Sequence, residues 1–160
     1  MWNIGEEDIP RTAEMEESLR GQYSRPGVAV AAICGKLEME LAEMEEEEEE
    51  EFRKALGPGE SGLSRGIRLS YQLLGLIPFF TVGPDEVKAW TIPHNTPAVQ
   101  AAGKIHSDIE RGFIRAEVIA FDDLARCGTL AEGRKKGLLR LEGKTYKVQD
   151  GDVINFLFNV

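Results

Sequence analysis

Val87–Phe121 reads VKAWTIPHNTPAVQAAGKIHSDIERGFIRAEVIAF, and Tyr146–Val160 reads YKVQDGDVINFLFNV. Apolar and polar residues alternate over 87–92, 114–121 and 153–158, which predicts strands, because successive side chains of a strand point to opposite faces. Small residues over 98–106 predict a short helix. A further strand is predicted over 78–82, joined to the next by Gly83-Pro84-Asp85-Glu86 as in a hairpin. These elements predict a sheet with a helix packed against it.

The residues before this block predict a different arrangement. Helical spacing occurs over 8–21 and again from Leu37 to about Leu56, and the apolar run Val28–Cys34 is typical of a strand buried on both faces. Glu45–Glu51 is interpreted as a solvated helix face. A turn over 57–62 precedes a helix over 63–74, with Gly75 as its stop. Since a lone strand lacks sheet neighbours, we expect residues 1–56 to be loosely held or to self-associate.

The charge differs between the two halves of the chain. Residues 1–87 carry 8 Lys and Arg against 19 Asp and Glu, a net charge of −11, whereas residues 88–160 carry 11 against 9, a net charge of +2. The acidic half is a poor binder of nucleic acid, because phosphate contacts require local cations. No apolar run is long enough for a membrane span. Two widely spaced cysteines are typical of a reduced, cytoplasmic protein, and partly buried, inert thiols are expected.

The motifs resemble a known family over essentially all of residues 75–160. Phe79–Ile92, Pro97–Asp108, Gly112–Ile119 and the ending Gln149–Val160 resemble, in this order, the TGS domain of the YchF (Obg-like ATPase) family of TRAFAC-type P-loop nucleotidases. The resemblance implies an α+β chain: a ubiquitin-like β-grasp (TGS) domain preceded by the last βα portion of a P-loop α/β domain. The order strand, strand, helix, strand, irregular stretch and strand agrees with a β-grasp fold.

The resemblance extends upstream to a nucleotide-base site. Asn3-Ile4-Gly5-Glu6 corresponds to the family's Asn-x-x-Glu base-recognition motif, and Cys34-Gly35 lies in the loop that closes over the base. The resemblance therefore implies base-binding roles for Asn3, Ile4, Glu6, Cys34 and Gly35, with Ile4 packing on the purine face. Guanine offers two adjacent donors that an Asp accepts together, whereas adenine does not. Glu6 at the Asp position is compatible with the family's preference for ATP over GTP.

The phosphate-binding part of such a site is missing from the sequence. No G-x-x-x-x-G-K-[ST] motif occurs, so there is no glycine-rich cradle for phosphates and no hydroxyl for Mg²⁺. We expect no catalytic residue, no metal site and no cofactor in this chain, although the family uses ATP and Mg²⁺. The expected organisation is a remnant of the nucleotide-binding (OBG-type G) domain over 1–56, a linker helix over 57–74 and the TGS domain over 75–160.

A basic cluster offers a second candidate site. Its members are candidates for contacts with RNA phosphates: Arg134, Lys135, Lys136, Arg140, Lys144 and Lys147. A solvated loop is the simpler interpretation. His106 is expected to cap or fill a boundary position rather than to act in a catalytic triad.

Two functions remain open at this point. The resemblance implies the C-terminal portion of an ATP- and GTP-binding hydrolase that associates with ribosomes, in which this chain supplies recognition and is inactive alone. The alternative is a stand-alone TGS-type module that contacts RNA, the ribosome or a protein and binds no nucleotide. Neither DNA nor a membrane is an expected partner.

Overall fold

A computed structural model describes residues 1–56, 60–83 and 86–159 of the chain. The chain divides into two compact units, Met1–Leu74 and Gly75–Val160. Within the described ranges, no helix has the length and apolar character needed to cross a membrane.

The first unit is built mainly from helices around a pair of parallel strands, β1 and β2. Its elements are β1 (Trp2–Asn3), a 3₁₀ helix (Glu6–Arg11), α1 (Thr12–Gln22), β2 (Ala32–Ile33), α2 (Gly35–Leu41), α3 (Glu46–Leu56) and α4 (Gly62–Leu74).

Two predicted elements of this unit are wrong in extent. The strand predicted over 28–34 is only two residues long, because β1 offers just two pairing residues and Val28 is exposed. The helix predicted over 37–56 is two helices, of which α3 begins inside the glutamate run. Four glutamates lie in its first turn and Arg53 and Lys54 in its last, which suits the helix dipole. The turn residues 57–59 lie outside the described ranges.

The outer edge of β2 is closed by side chains. The Ala32 N–H donates to Oε1 of the buried Glu16 at 2.8 Å. Arg65 on α4 donates to the Ala32 carbonyl at 3.4 Å and also binds the Glu16 carboxylate. These contacts take the place of a neighbouring strand and hold α4 against β2 within the first unit.

The second unit contains a five-stranded mixed sheet in the order β4-β3-β7-β5-β6. Its elements are β3 (Leu76–Val82), β4 (Val87–Pro93), α5 (Ala98–Ile105), α6 (Ser107–Arg111), β5 (Phe113–Ala120), α7 (Phe121–Cys127), α8 (Leu130–Lys135), β6 (Arg140–Glu142) and β7 (Asp152–Phe158). The β3–β7 pair is parallel, whereas β3–β4, β5–β7 and β5–β6 are antiparallel.

The strands predicted from alternation are present within one or two residues of their expected bounds. Residues 76–82 and 87–93 pair antiparallel as a hairpin, and Pro84 and Asp85 of its connection lie outside the described ranges. α4 ends at Leu74 as expected, because Gly75 has a φ of 62°.

One face of the sheet and α5 enclose the core of the second unit. Phe79 is fully buried and meets Phe156 edge to face at 6.1 Å between ring centroids. The alanines Ala98, Ala101 and Ala102 let α5 approach the sheet closely, and all three are fully buried.

The stretch between β5 and β7, predicted to be irregular, contains α7, α8 and β6. Gly128, with a φ of 78°, ends α7, and the Thr129 hydroxyl caps α8 by accepting from the Glu132 N–H. Gly133 lies against Ile119, where an added Cβ would be 2.6 Å from the Ile119 Cδ1. α8 therefore packs on the sheet face opposite α5.

Candidate nucleotide-base and RNA-contact sites

Asn3 and Gly35 meet at the end of the small parallel sheet. Because β1 and β2 run parallel, the residues that follow them emerge at the same edge. The Gly35 N–H donates to Oδ1 of Asn3 at 2.9 Å. A Cβ on Gly35 would lie only 3.1 Å from that oxygen. The structure thus brings together two of the five predicted base-binding residues, although 32 positions separate them in the sequence.

Glu6 lies on the exposed side of the same edge. Its carboxylate accepts from Nζ of Lys36 at 3.0 Å, and Glu40 is 3.8 Å from the same ammonium. The hydrogen bond from Lys36 to Glu6, followed by the attraction of both carboxylates, raises the pKa of Lys36. The predicted base acceptor therefore already has a partner in the protein.

Ile4 and Cys34 face inward rather than toward a ligand. Both are 7% exposed and pack with Ala32, while Ile9, Met15 and Leu37 cover the cluster. The buried position of Ile4 leaves little of its side chain for the face of a purine, the role that the resemblance implies. Cys34 is a free, buried thiol, and Cys127 is free and half-buried.

The six residues of the predicted basic cluster divide into two groups. Arg134 binds Glu117, Lys135 binds Glu132 at 2.6 Å, and Arg140 lies 3.5 Å from Asp152. In the described part of the chain, the side chains of the other three form no ion pair and no hydrogen bond: Lys136, Lys144 and Lys147.

Lys144 and Lys147 both lie beside the beginning of α5. The Lys144 carbonyl accepts from the Val99 N–H at 3.4 Å, and Lys147 forms an antiparallel bridge with Pro97. Both side chains are exposed. The fold therefore holds these two cations on one well-supported loop.

A network that the sequence analysis missed supports this loop. The Tyr146 hydroxyl donates to Oδ2 of the buried Asp152 at 2.8 Å, and the same oxygen accepts from the Gln149 N–H at 2.9 Å. Arg140 stacks over the Tyr146 ring at 5.5 Å from its centroid. Burial, and then the bond to Asp152, raises the pKa of Tyr146 to about 12. In the sequence, the signal that could have revealed this network is a tyrosine before the turn Gln149–Gly151 and an aspartate after it.

The remaining candidates have structural roles. His106 caps α6, since its Nδ1 accepts from the Asp108 N–H at 3.2 Å, as expected from its boundary position. Nε1 of the half-buried Trp90 donates to the Thr81 hydroxyl at 3.0 Å. Among the described residues, no three His, Cys, Asp or Glu side chains are placed to hold a metal ion.

Comparison with known proteins identifies the architecture. The family model YchF-GTPase_C, described as a protein of unknown function (DUF933), matches residues 76–159. The "Ribosome-binding ATPase YchF" of Bacillus subtilis (strain 168) is 47% identical over 160 residues, covering 99% of this chain and 44% of that protein. Its namesake in Escherichia coli O157:H7 is 44% identical over 158 residues, covering 99% and 43%.

Solved structures agree with this assignment. The Schizosaccharomyces pombe YchF GTPase matches with a TM-score of 0.78 and 33% identity, over 97% of this chain and 42% of that one. A GTP binding protein from Pyrococcus horikoshii OT3, at 20% identity and a TM-score of 0.55, shares the fold.

The helices and the mixed sheet of this chain thus match the C-terminal region of a protein of the GTPase-like class. The chain belongs to the YchF family, and it spans less than half the length of the relatives that it matches.

Proposed function

We propose that the second unit is a β-grasp recognition module of the TGS type that contacts RNA phosphates as part of a ribosome-associated protein. The sheet order, with β7 between β3 and β5 and α5 across one face, supports a β-grasp fold. The names of the curated relatives, which are ribosome-binding ATPases, support the ribosome as the setting.

The observation that carries the RNA proposal is the placement of two unpaired cations. Lys144 and Lys147 are exposed on a loop anchored to α5 and to the Tyr146–Asp152 bond. An unpaired lysine gains more from a phosphate than one already bound to a carboxylate, because no ion pair must first be broken. Among the described residues, the Lys136 side chain also has no carboxylate partner. The side chains of Arg134, Lys135 and Arg140, by contrast, are paired with the protein's own carboxylates.

The test is binding of a fluorescent single-stranded RNA to the full chain by anisotropy over a range of salt. Replacing Lys144 and Lys147 by Ala is expected to weaken binding to all RNA sequences alike. The slope of log K against log salt should fall by about 0.7 for each lysine removed. Lys135→Ala is the matched control, since Lys135 is exposed but bound to Glu132. An unchanged slope in the double variant would refute the RNA contact.

For the first unit, we propose that Asn3, Glu6 and Gly35, with Ile4 and Cys34 beneath them, belong to the base-recognition edge of a nucleotide site. The parent activity is then ATP hydrolysis with Mg²⁺, in preference to GTP, in the cytoplasm. The contact between Asn3 and Gly35 supports this proposal, because it joins the two segments that the family motifs assign to the base. With no phosphate-binding motif in its sequence, the chain alone is expected to hydrolyse no ATP.

Calorimetric titration with ATP and Mg²⁺, together with a phosphate-release assay, tests this part. We expect no phosphate release and no binding tighter than millimolar. Micromolar affinity that is lost in Asn3→Ala would show that the pocket is already complete.

The second candidate is an interaction module that binds no nucleotide at all. The pairing of Glu6 with Lys36 favours it, because a base would have to compete with an existing ion pair. The variant Lys36→Ala distinguishes the two candidate functions through its effect on ATP binding. If Glu6 serves a base, freeing its carboxylate should improve weak ATP binding, whereas a module without a nucleotide site should show no binding in either form.

A further inference from the structure

The second unit carries a shallow pocket where β3, the end of β5 and the turn before β7 meet. It has a volume of about 330 Å³ and is lined by Pro78, Phe80, Ala120, Phe121, Asp122, Asp150 and Gly151. Backbone hydrogen bonds fix its floor: the Phe121 N–H donates to the Gly151 carbonyl at 2.9 Å, and the Gly151 N–H donates to the Pro78 carbonyl at 3.1 Å. The pocket is therefore built on the sheet itself.

Two aromatic rings form its apolar wall. Phe80 and Phe121 lie 6.1 Å apart between centroids, with their planes inclined by 43°. Phe121 is the first residue of α7 and remains 55% exposed, although it already contacts Phe80. More than half of the surface of this residue is thus available to a partner.

Two residues that line the same pocket, Asp122 and Asp150, have carboxylates without partners among the residues that the structure describes. Within the described ranges, the side chains of Asp122 and Asp150 form no ion pair and no hydrogen bond, and both residues are exposed. Their neighbours differ: Asp123 binds Arg126, and Asp152 accepts from Tyr146 and Gln149. The pocket therefore combines open aromatic surface with uncompensated negative charge.

We propose that this pocket binds an arginine side chain of a basic polypeptide partner. A guanidinium group can lie flat on an aromatic ring while its N–H groups donate to carboxylates, which matches both features of the pocket. A lysine ammonium satisfies the carboxylates but covers less of the rings. The negative charge disfavours phosphate, so RNA is not the occupant. This inference is independent of the RNA contact proposed for Lys144 and Lys147.

The experiment is a titration of the ¹⁵N-labelled full chain with acetyl-Gly-Arg-Gly-amide, followed by amide chemical shifts. Matched peptides carry lysine or citrulline in place of arginine, and citrulline keeps the shape of the side chain without its charge. We expect saturable shifts centred on Phe121, Asp122, Asp150 and Gly151 with arginine, smaller ones with lysine, and none with citrulline.

Variants test each feature of the pocket. Asp122→Asn and Asp150→Asn should each weaken arginine binding by about fivefold, as expected for the loss of one exposed ion pair. Phe121→Ala should weaken it by a similar factor. For the two Asp variants, an unchanged melting temperature is the check on folding. Phe121→Ala also loses its contact with Phe80, so its check is that amide shifts away from the pocket are unchanged. Glu110→Gln, an exposed carboxylate on α6, is the matched control and should leave binding unchanged.

Three results would overturn the proposal, the first two from the peptides and the third from RNA. One is the absence of shifts at these residues up to millimolar arginine peptide. The other is equal binding of the citrulline peptide, which would show that charge plays no part. RNA that competes with the peptide and shifts the same amides would also refute it, because a phosphate ligand would then occupy the pocket.

Discussion

Glu16 and Arg65, 49 positions apart in the sequence, form an ion pair that completes the edge of a strand. The carboxylate accepts the Ala32 N–H, and the guanidinium donates to the Ala32 carbonyl, so the two side chains satisfy the groups that another strand would otherwise bind. Glu16 is 3% exposed, and Arg20 on the next turn of α1 also contacts it. An edge closed in this way offers little to a second copy of the chain.

Arg65→Met is expected to destabilise the first unit by about 2 kcal/mol, because it leaves a buried carboxylate with fewer partners. The exchange rate of the Ala32 amide hydrogen reports this locally and should rise. Arg68→Met on the same helix is the control, since Arg68 pairs with Glu60 at the surface, where solvent screens the attraction, and its loss should change the stability little. Equal effects of the two substitutions would mean that Glu16 does not depend on Arg65.

Gly112→Ala is expected to destabilise the second unit by about 2 kcal/mol or more. The new Cβ would lie 2.2 Å from the Asn159 carbonyl oxygen, and that backbone is held in place by the bond from the Asn159 N–H to the Gly112 carbonyl at 2.9 Å. Urea unfolding followed by Trp90 fluorescence measures the change. Gly143→Ala, where no atom lies within 4 Å of the new Cβ, should change the stability little.

The bond between Tyr146 and Asp152 predicts a loss of stability in alkali. The pKa of Tyr146 rises from 10.0 to about 12 on folding, so the native state favours the neutral phenol. This contribution is complete below pH 10 and is lost as the pH rises through about 12. Tyr146→Phe should remove that part of the pH dependence of unfolding. A phenol that ionises with an ordinary midpoint in the folded protein would be inconsistent with the bond.

Glu38 predicts a loss of stability in acid for the first unit. Burial alone would raise its pKa, but hydrogen bonds from Arg53 and the Gly62 N–H outweigh burial and lower it below 4.5. The contribution is therefore present above pH 4.5 and is lost as the pH falls through the lower, folded value. Glu38→Gln should make unfolding of this unit less sensitive to acid, as measured by circular dichroism, whereas Glu47→Gln on the exposed face of α3 should not.

The strands of the larger sheet could be predicted because their signals are local. Alternation over 76–82, 113–120 and 152–158 follows from one face packing on α5. α7 and α8 escaped prediction because seven and six residues are too few to show a helical period. β2 was predicted too long because the apolar run suggested burial, and no residue of that run reveals how short its partner strand is.

The candidate sites, too, could be predicted from the sequence only in part. The resemblance assigns Asn3 and Gly35 to one base site, and the hydrogen bond between them agrees with their being neighbours. The pairing of Arg134, Lys135 and Arg140 with carboxylates could not be predicted, because Glu117 and Asp152 reach those cations only through the folded sheet. A count of basic residues therefore overstates the charge that is free to bind.

The position of β7 has a consequence for how the second unit is made. This strand is synthesised last among the five, yet it lies in the middle of the sheet and joins the β3–β4 hairpin to the β5–β6 pair. During translation the two halves can exist only as separate pieces, each with an open edge, until Asp152–Phe158 leaves the ribosome. Folding of the sheet must therefore wait until β7 has been synthesised.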